Sequence, residues 1–154
     1  MTTALYTESW FQETLVSEMR IMVRRNGPPQ DGTYSAERQI ILVVEDNPDL
    51  LNVLWTLLDF EQYRVALAAD GQEALDWLAR RRPTLIILDW RLPTVGGDRV
   101  LAETRKRYGT AVPILVLSAV ADSEEALQAG ADAYLRKPYA IEQLVGTIRR
   151  LLAA

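Results

Sequence analysis

From residue 40 onward the chain alternates between two kinds of apolar pattern, and this alternation limits its fold more than any other feature. Short β-branched runs occur at 40–44 (IILVV), 63–68 (YRVALA), 84–88 (TLIIL), 113–117 (PILVL) and 132–136 (DAYLR). Between them the apolar residues recur at helical spacing. Residues 48–60 place Leu50, Leu51, Leu54, Leu57 and Leu58 on one face, with Asn47 as N-cap and Pro48 in the first turn. Residues 71–80 gather Ala74, Leu75 and Leu78. Residues 98–107 open on Asp98, read as a cap. Residues 123–129 form a short helix capped by Asp122 or Ser123. Residues 141–152 carry Ile141, Leu144, Val145, Ile148 and Leu152 on one stripe. Strands alternating with helices in this way make βαβ units and a parallel sheet.

Polarity orders the strands. Runs one, three and four are almost wholly apolar, as strands covered on both faces must be. Run two contains Arg64, and run five contains Asp132 and Arg136, so these suit the edges. With right-handed crossovers the order is 2-1-3-4-5, an α/β doubly wound five-stranded sheet. The switch point then lies between strands one and three, and ligands bind there, outside the carboxyl ends of the strands.

Charged residues stand at those ends. Strand one is followed by Glu45 and Asp46, and strand three by Asp89. Three converging carboxylates repel one another and hold their protons unless a cation intervenes. Oxygen ligands with room for water suit Mg²⁺. Single acids after strands are commonly loop starters or caps, but acids at two strand ends flanking the switch point read as a site. Strand four ends in Ser118-Ala119, and strand five is followed by Lys137-Pro138. A hydroxyl and an ammonium beside a metal could bind a phosphoryl group; without one, Lys137 could simply pair with the acids.

In this order and spacing, "VVEDNP" (43–48), "ILDWRLPTVGG" (87–97), "VLSA" (116–119) and "YLRKPY" (134–139) resemble the receiver domain of two-component response regulators, the CheY-like family with its flavodoxin-like sheet. The resemblance covers residues 38–154. It implies that Asp89 is the phosphoacceptor, attacking the phosphorus of a phosphohistidine on a sensor histidine kinase or a histidine phosphotransfer protein. It implies that Asp46, Asp89 and the Arg91 main-chain carbonyl hold Mg²⁺, with Glu45 acting through a coordinated water. Lys137 would bind a phosphoryl oxygen, and the Ser118 hydroxyl would move to hydrogen-bond it. Tyr134 would be the switch aromatic that turns inward when Ser118 moves. Pro138 would follow a cis peptide bond that aims Lys137 at the site. Arg91 and Val120 would tune the phosphoryl lifetime; because Val120 cannot orient an attacking water, self-dephosphorylation should be slow. Gly96 and Gly97 fit a turn that needs positive φ, and Trp90 should be partly exposed beside the site.

The stretch from Ser118 to Lys137 is about three residues shorter than is usual in the family, most of a helical turn. The deletion falls in the fourth helix or the loop before it, which puts the family's usual dimer contact there in doubt.

The composition closes off other functions. With no cysteine and no histidine, disulfides, thiolate or common zinc sites, Ser-His triads and phosphohistidine chemistry within this chain are excluded. Net charge is -4, so direct nucleic-acid binding by bulk charge is not expected. There is no secretory signal and no apolar run of membrane-spanning length, which points to a cytoplasmic protein. An aspartyl phosphatase would want a second acid two residues after Asp89, where Arg91 stands. A nucleotide-binding domain would want a glycine-rich loop after strand one, where Asp46-Asn47-Pro48 stands.

Residues 26–37 (NGPPQDGTYSAE) have linker composition and separate an N-terminal extension, 1–25, from the receiver. Residues 5–25 read as an extra amphipathic helix with Leu5, Trp10 or Phe11, Leu15, Met19 and Met22 or Val23 near one face. Glu8 and Glu13 come early and Arg20, Arg24 and Arg25 late, as the helix dipole favours. Such a helix needs something to cover its apolar face. It could form a homodimer, dock on the receiver or bind a partner. The expected function is a phosphorylation switch that signals through protein contacts rather than an enzyme with its own substrate. A complete small protein is favoured over a receiver cut from a longer regulator.

Overall fold

The computed structural model describes residues 39–118 and 123–154, together with Glu13. The expected N-terminal helix (Glu13 apart, which is helical and exposed), the linker, the caps of the 123–129 helix before Ser123, and Val120 lie outside the described residues.

The elements run β1 (Ile40–Val44), α1 (Pro48–Phe60), β2 (Arg64–Ala68), α2 (Gly71–Arg80), β3 (Leu85–Asp89), α3 (Gly97–Tyr108), β4 (Ile114–Ser118), α4 (Ser123–Ala129), β5 (Ala133–Arg136) and α5 (Ile141–Ala153). The five strands form one parallel sheet in the order β2-β1-β3-β4-β5. This is the order inferred from strand polarity, with the polar runs at the edges. β3 and β4 are buried along their whole length, as double coverage requires.

Alternation along the strands divides the core in two. Ile41, Val43, Leu85, Ile87, Leu115 and Leu117 pack with Leu50, Leu54 and Leu57 of α1 and Leu144 and Ile148 of α5. Leu42, Val44, Ile86, Leu88, Ile114 and Val116 face the other way, against Ala74 and Leu78 of α2, Val100 and Leu101 of α3, and Ala126 of α4. The helices therefore cover both faces and leave the strand ends open for chemistry. α4 has only 7 residues, against 10 to 13 in the other helices. Among the described residues no helix is long and apolar enough to cross a membrane.

α1 starts as its sequence dictates. The Asn47 side chain accepts from the N–H groups of Asp49 and Leu50 at 3.0 and 3.2 Å, and Pro48 occupies the first turn. α3 starts differently from expectation. Asp98 is not its cap: the N-cap is Gly96, which makes no side-chain cap bond. The helix begins earlier because the Gly97 N–H donates to the Trp90 carbonyl at 3.1 Å. The turn before it also differs. Gly96 has φ -71, and the positive φ falls at Thr94, φ 64. Gly97 is required by space instead, since a Cβ there would lie 2.6 Å from the Asp89 carbonyl oxygen and 2.8 Å from the Trp90 Cα.

Candidate acidic site at the strand ends

Glu45 is held at the end of β1 by its N–H, which donates to the Ala68 carbonyl at 3.1 Å. Its side chain is enclosed just beyond the strand, and the residue is 2% exposed. Asp46, the next residue, is exposed. Asp89 is the last residue of β3 and is 8% exposed. One carboxylate oxygen from each of the three lies within 4.8 Å of the others. The parallel topology thus brings together acids 43 and 44 positions apart, as the sequence pattern predicted.

Lys137 follows β5, with its N–H on the Ser118 carbonyl at 2.8 Å. Its ammonium lies 3.3 Å from Glu45 Oε2 and 3.7 Å from Asp89 Oδ2. Glu45 Oε1 accepts from the Asn47 N–H at 3.1 Å, and Asp89 Oδ1 accepts from the Arg91 N–H at 3.3 Å. The Lys137–Pro138 peptide bond is cis. Ser118 is buried beside this group, one position beyond Leu117, the β4 residue in register with Asp89. The Tyr134 hydroxyl, on half-buried β5, donates to the Ser118 carbonyl at 3.5 Å.

One ammonium does not balance three carboxylates. Burial, then the charge of Asp89, pushes Glu45 from its ordinary 4.5 up to about 7, against the pull of Lys137. Burial also raises Asp89, opposed first by Lys137 and then by the Arg91 N–H. Hard oxygen donors that hold protons for want of positive charge suit a small divalent cation.

Two features of the site differ from or add to the sequence reading. Trp90 is 7% exposed, so it is buried rather than partly exposed. The close seat of Gly97 on the backbone at Asp89 and Trp90 folds the following loop over it. Tyr139, which the sequence pattern does not single out, adds to the site. It packs in the core beneath the site, where burial and then the charges of Glu45 and Asp89 raise its phenol. Its place two residues after Lys137 was the available signal.

The family model described as the response regulator receiver domain matches residues 41–149. The response regulator MprA of Mycobacterium sp. (strain KMS) is 44% identical over 115 residues, covering 73% of this chain and 50% of that protein. The MprA of Mycobacterium leprae (strain TN) matches at the same identity and coverage. This chain spans about half the length of the curated relatives it matches. Among solved structures, the receiver domain of a sensor histidine kinase from Pseudomonas aeruginosa PAO1, with a magnesium ion coordinated in its active site cleft, is 38% identical with a TM-score of 0.71. The match covers 77% of this chain and 100% of that one. The response regulator TrrA of Thermotoga maritima, in complex with Mg²⁺-BeF, is 31% identical with a TM-score of 0.67 and coverages of 73% and 98%.

Proposed function

Since this chain belongs to the response regulator receiver family, we propose that Asp89 is its phosphoacceptor and that its partner is a sensor histidine kinase or a histidine phosphotransfer protein. The observation that carries the proposal is the clustering of Glu45, Asp46 and Asp89 within 4.8 Å, with the Lys137 ammonium against two of them. An Asp89 carboxylate oxygen attacks the phosphorus of the partner's phosphohistidine. The O–P bond forms as the N–P bond breaks, and the imidazole leaves with the bonding pair. Lys137 sits where it can hold a phosphoryl oxygen. The buried Ser118 hydroxyl can supply a further donor, and the contact of Tyr134 with the Ser118 carbonyl joins that position to β5.

Asp46, Asp89 and the Arg91 carbonyl, with Glu45 through a water, would hold Mg²⁺, whose charge offsets that on the transferring phosphoryl. Signalling then passes through protein contacts on the receiver surface. Arg91 and Val120 set the phosphoryl lifetime, and slow self-dephosphorylation is expected. A phospho-Asp89 half-life of seconds would contradict it.

The main test is tryptophan fluorescence on adding beryllofluoride with Mg²⁺, because Trp90 adjoins Asp89. Wild type should respond and Asp89→Asn should not. An equal response from both would remove Asp89 from its role.

A further inference from the structure

β2 is an edge strand, bonded to β1 on one side only among the described residues. Its Leu67 is 40% exposed. Beside it lies an open groove of about 590 Å³, lined by Leu67, Glu73, Asp76, Trp77, Arg80 and Arg81. The groove has an apolar floor, Leu67 and Trp77, and a rim with a charge gradient. The acids stand toward the start of α2 and the arginines at its end. It lies at the sheet edge and shares no lining residue with the acidic site. An exposed, apolar strand edge is a liability that proteins usually cover.

We propose that this groove is the docking site for residues 5–25 of the same chain. Three observations converge on that occupant. The segment supplies what the floor needs: Trp10 or Phe11, Leu15 and Met19 fall near one helical face. Its charges run in the complementary sense when it lies antiparallel to α2. Glu8 and Glu13 then come toward Arg80 and Arg81, and Arg20, Arg24 and Arg25 toward Glu73 and Asp76. The chain also reaches. In this orientation the segment ends near the carboxyl ends of the strands, and the chain must return to Ile40, which pairs with Arg64 at the opposite end of β2. Residues 26–38 extend to about 43 Å, whereas a five-residue strand is about 17 Å long. The Pro- and Gly-rich stretch is therefore long enough for a return within one chain, and a second copy is not needed to fill the groove.

The test uses the full chain with a photoreactive benzoylphenylalanine in place of Leu67, an exposed position that tolerates it. Equal amounts of ¹⁴N- and ¹⁵N-labelled protein are mixed, irradiated and mapped by mass spectrometry. Cross-links from position 67 to residues 5–25 within chains of one isotope are expected. Cross-links joining the two isotopes would assign the groove to a second copy and overturn the proposal, as would the absence of any link to 5–25. Adding Leu15→Asp and Met19→Asp should lower the intramolecular yield at least about tenfold, because two apolar side chains leave the interface. Beryllofluoride binding should be unchanged in that variant, which separates this result from the reading of Asp89. An undiminished yield would also overturn the proposal.

Discussion

Glu45 should make the metal-free protein less stable as pH rises, and Mg²⁺ should abolish that loss. The folded chain holds the Glu45 proton up to about pH 7, whereas the ordinary carboxyl releases it near 4.5. The folded state therefore binds more protons than the unfolded state between these values. The stability contributed by the proton is complete below 4.5 and is lost as pH rises through 7. The two values together amount to about 3 kcal/mol, of which about 2 to 3 kcal/mol falls between about pH 5 and about pH 8. Other groups titrate over this range, so the quantity to measure is a difference. Urea unfolding would be followed by tryptophan fluorescence for wild type and Glu45→Gln, which keeps the side chain's shape but stays neutral. Relative to the variant, wild type should lose about 2 to 3 kcal/mol from the lower pH to the higher. Saturating Mg²⁺ should remove most of that relative loss, because the cation replaces the proton. Metal affinity should accordingly rise with pH and level off above 7. If wild type and Glu45→Gln show the same pH slope without metal, the argument that Glu45 is short of positive charge fails.

Three further substitutions probe the supports of the site. Lys137→Met removes the ammonium that touches Glu45 and Asp89; at about pH 8 it should cost about 3 kcal/mol in urea unfolding without metal, and Mg²⁺ should raise the melting temperature more than in wild type. Gly97→Ala sets a methyl group 2.6 Å from the Asp89 carbonyl oxygen; it should cost about 2 kcal/mol and weaken the beryllofluoride response, whereas an unaffected variant would show that α3 can move away freely. Asn47→Ala removes the acceptor for the Asp49 and Leu50 N–H groups and should cost about 1 kcal/mol, while the Asn47 main-chain donation to Glu45 remains, so calorimetric Mg²⁺ affinity should change little.

The strands and helices were legible because two-sided burial leaves an unbroken apolar run in β1, β3 and β4, and one-sided burial leaves a 3.6-residue period in the helices. Site membership followed from topology: in a parallel sheet of this order, the residues after β1, β3, β4 and β5 share one end. The misreadings share a cause. Asp98 has good capping chemistry, but the start of α3 is decided by a tertiary contact, the Gly97 N–H on the Trp90 carbonyl. In the same segment Gly97 is needed for space, and the positive φ falls at Thr94. The burial of Trp90, expected to be partly exposed, is not legible because nothing in its neighbours shows that Val95 and Leu92 pack in the same cluster. Close approach between segments has no period, so a single sequence carries no signal for it.

The three acids are adjacent in space but not equivalent, and the difference lies in their burial. Glu45 is 2% exposed just past the end of β1, and Asp89 ends a strand buried along its whole length, so both carboxylates lose most of their water. Asp46, one residue further beyond the end of β1, is exposed and keeps its water. A cation approaching from solvent therefore meets a hydrated carboxylate first and two dehydrated ones behind it. Dehydration makes the inner pair unfavourable when alone, as the raised values at Glu45 and Asp89 indicate. It also strengthens their attraction for a positive charge once one arrives, because the surrounding dielectric is low. Lys137 alone can offset only part of this deficit, since its one charge is divided between two carboxylates at 3.3 and 3.7 Å. An ammonium that neutralised both would leave little electrostatic reason to bind a divalent cation. The compensation is therefore partial and leaves the cluster short of positive charge, which is the electrostatic condition under which the proposed divalent cation would bind.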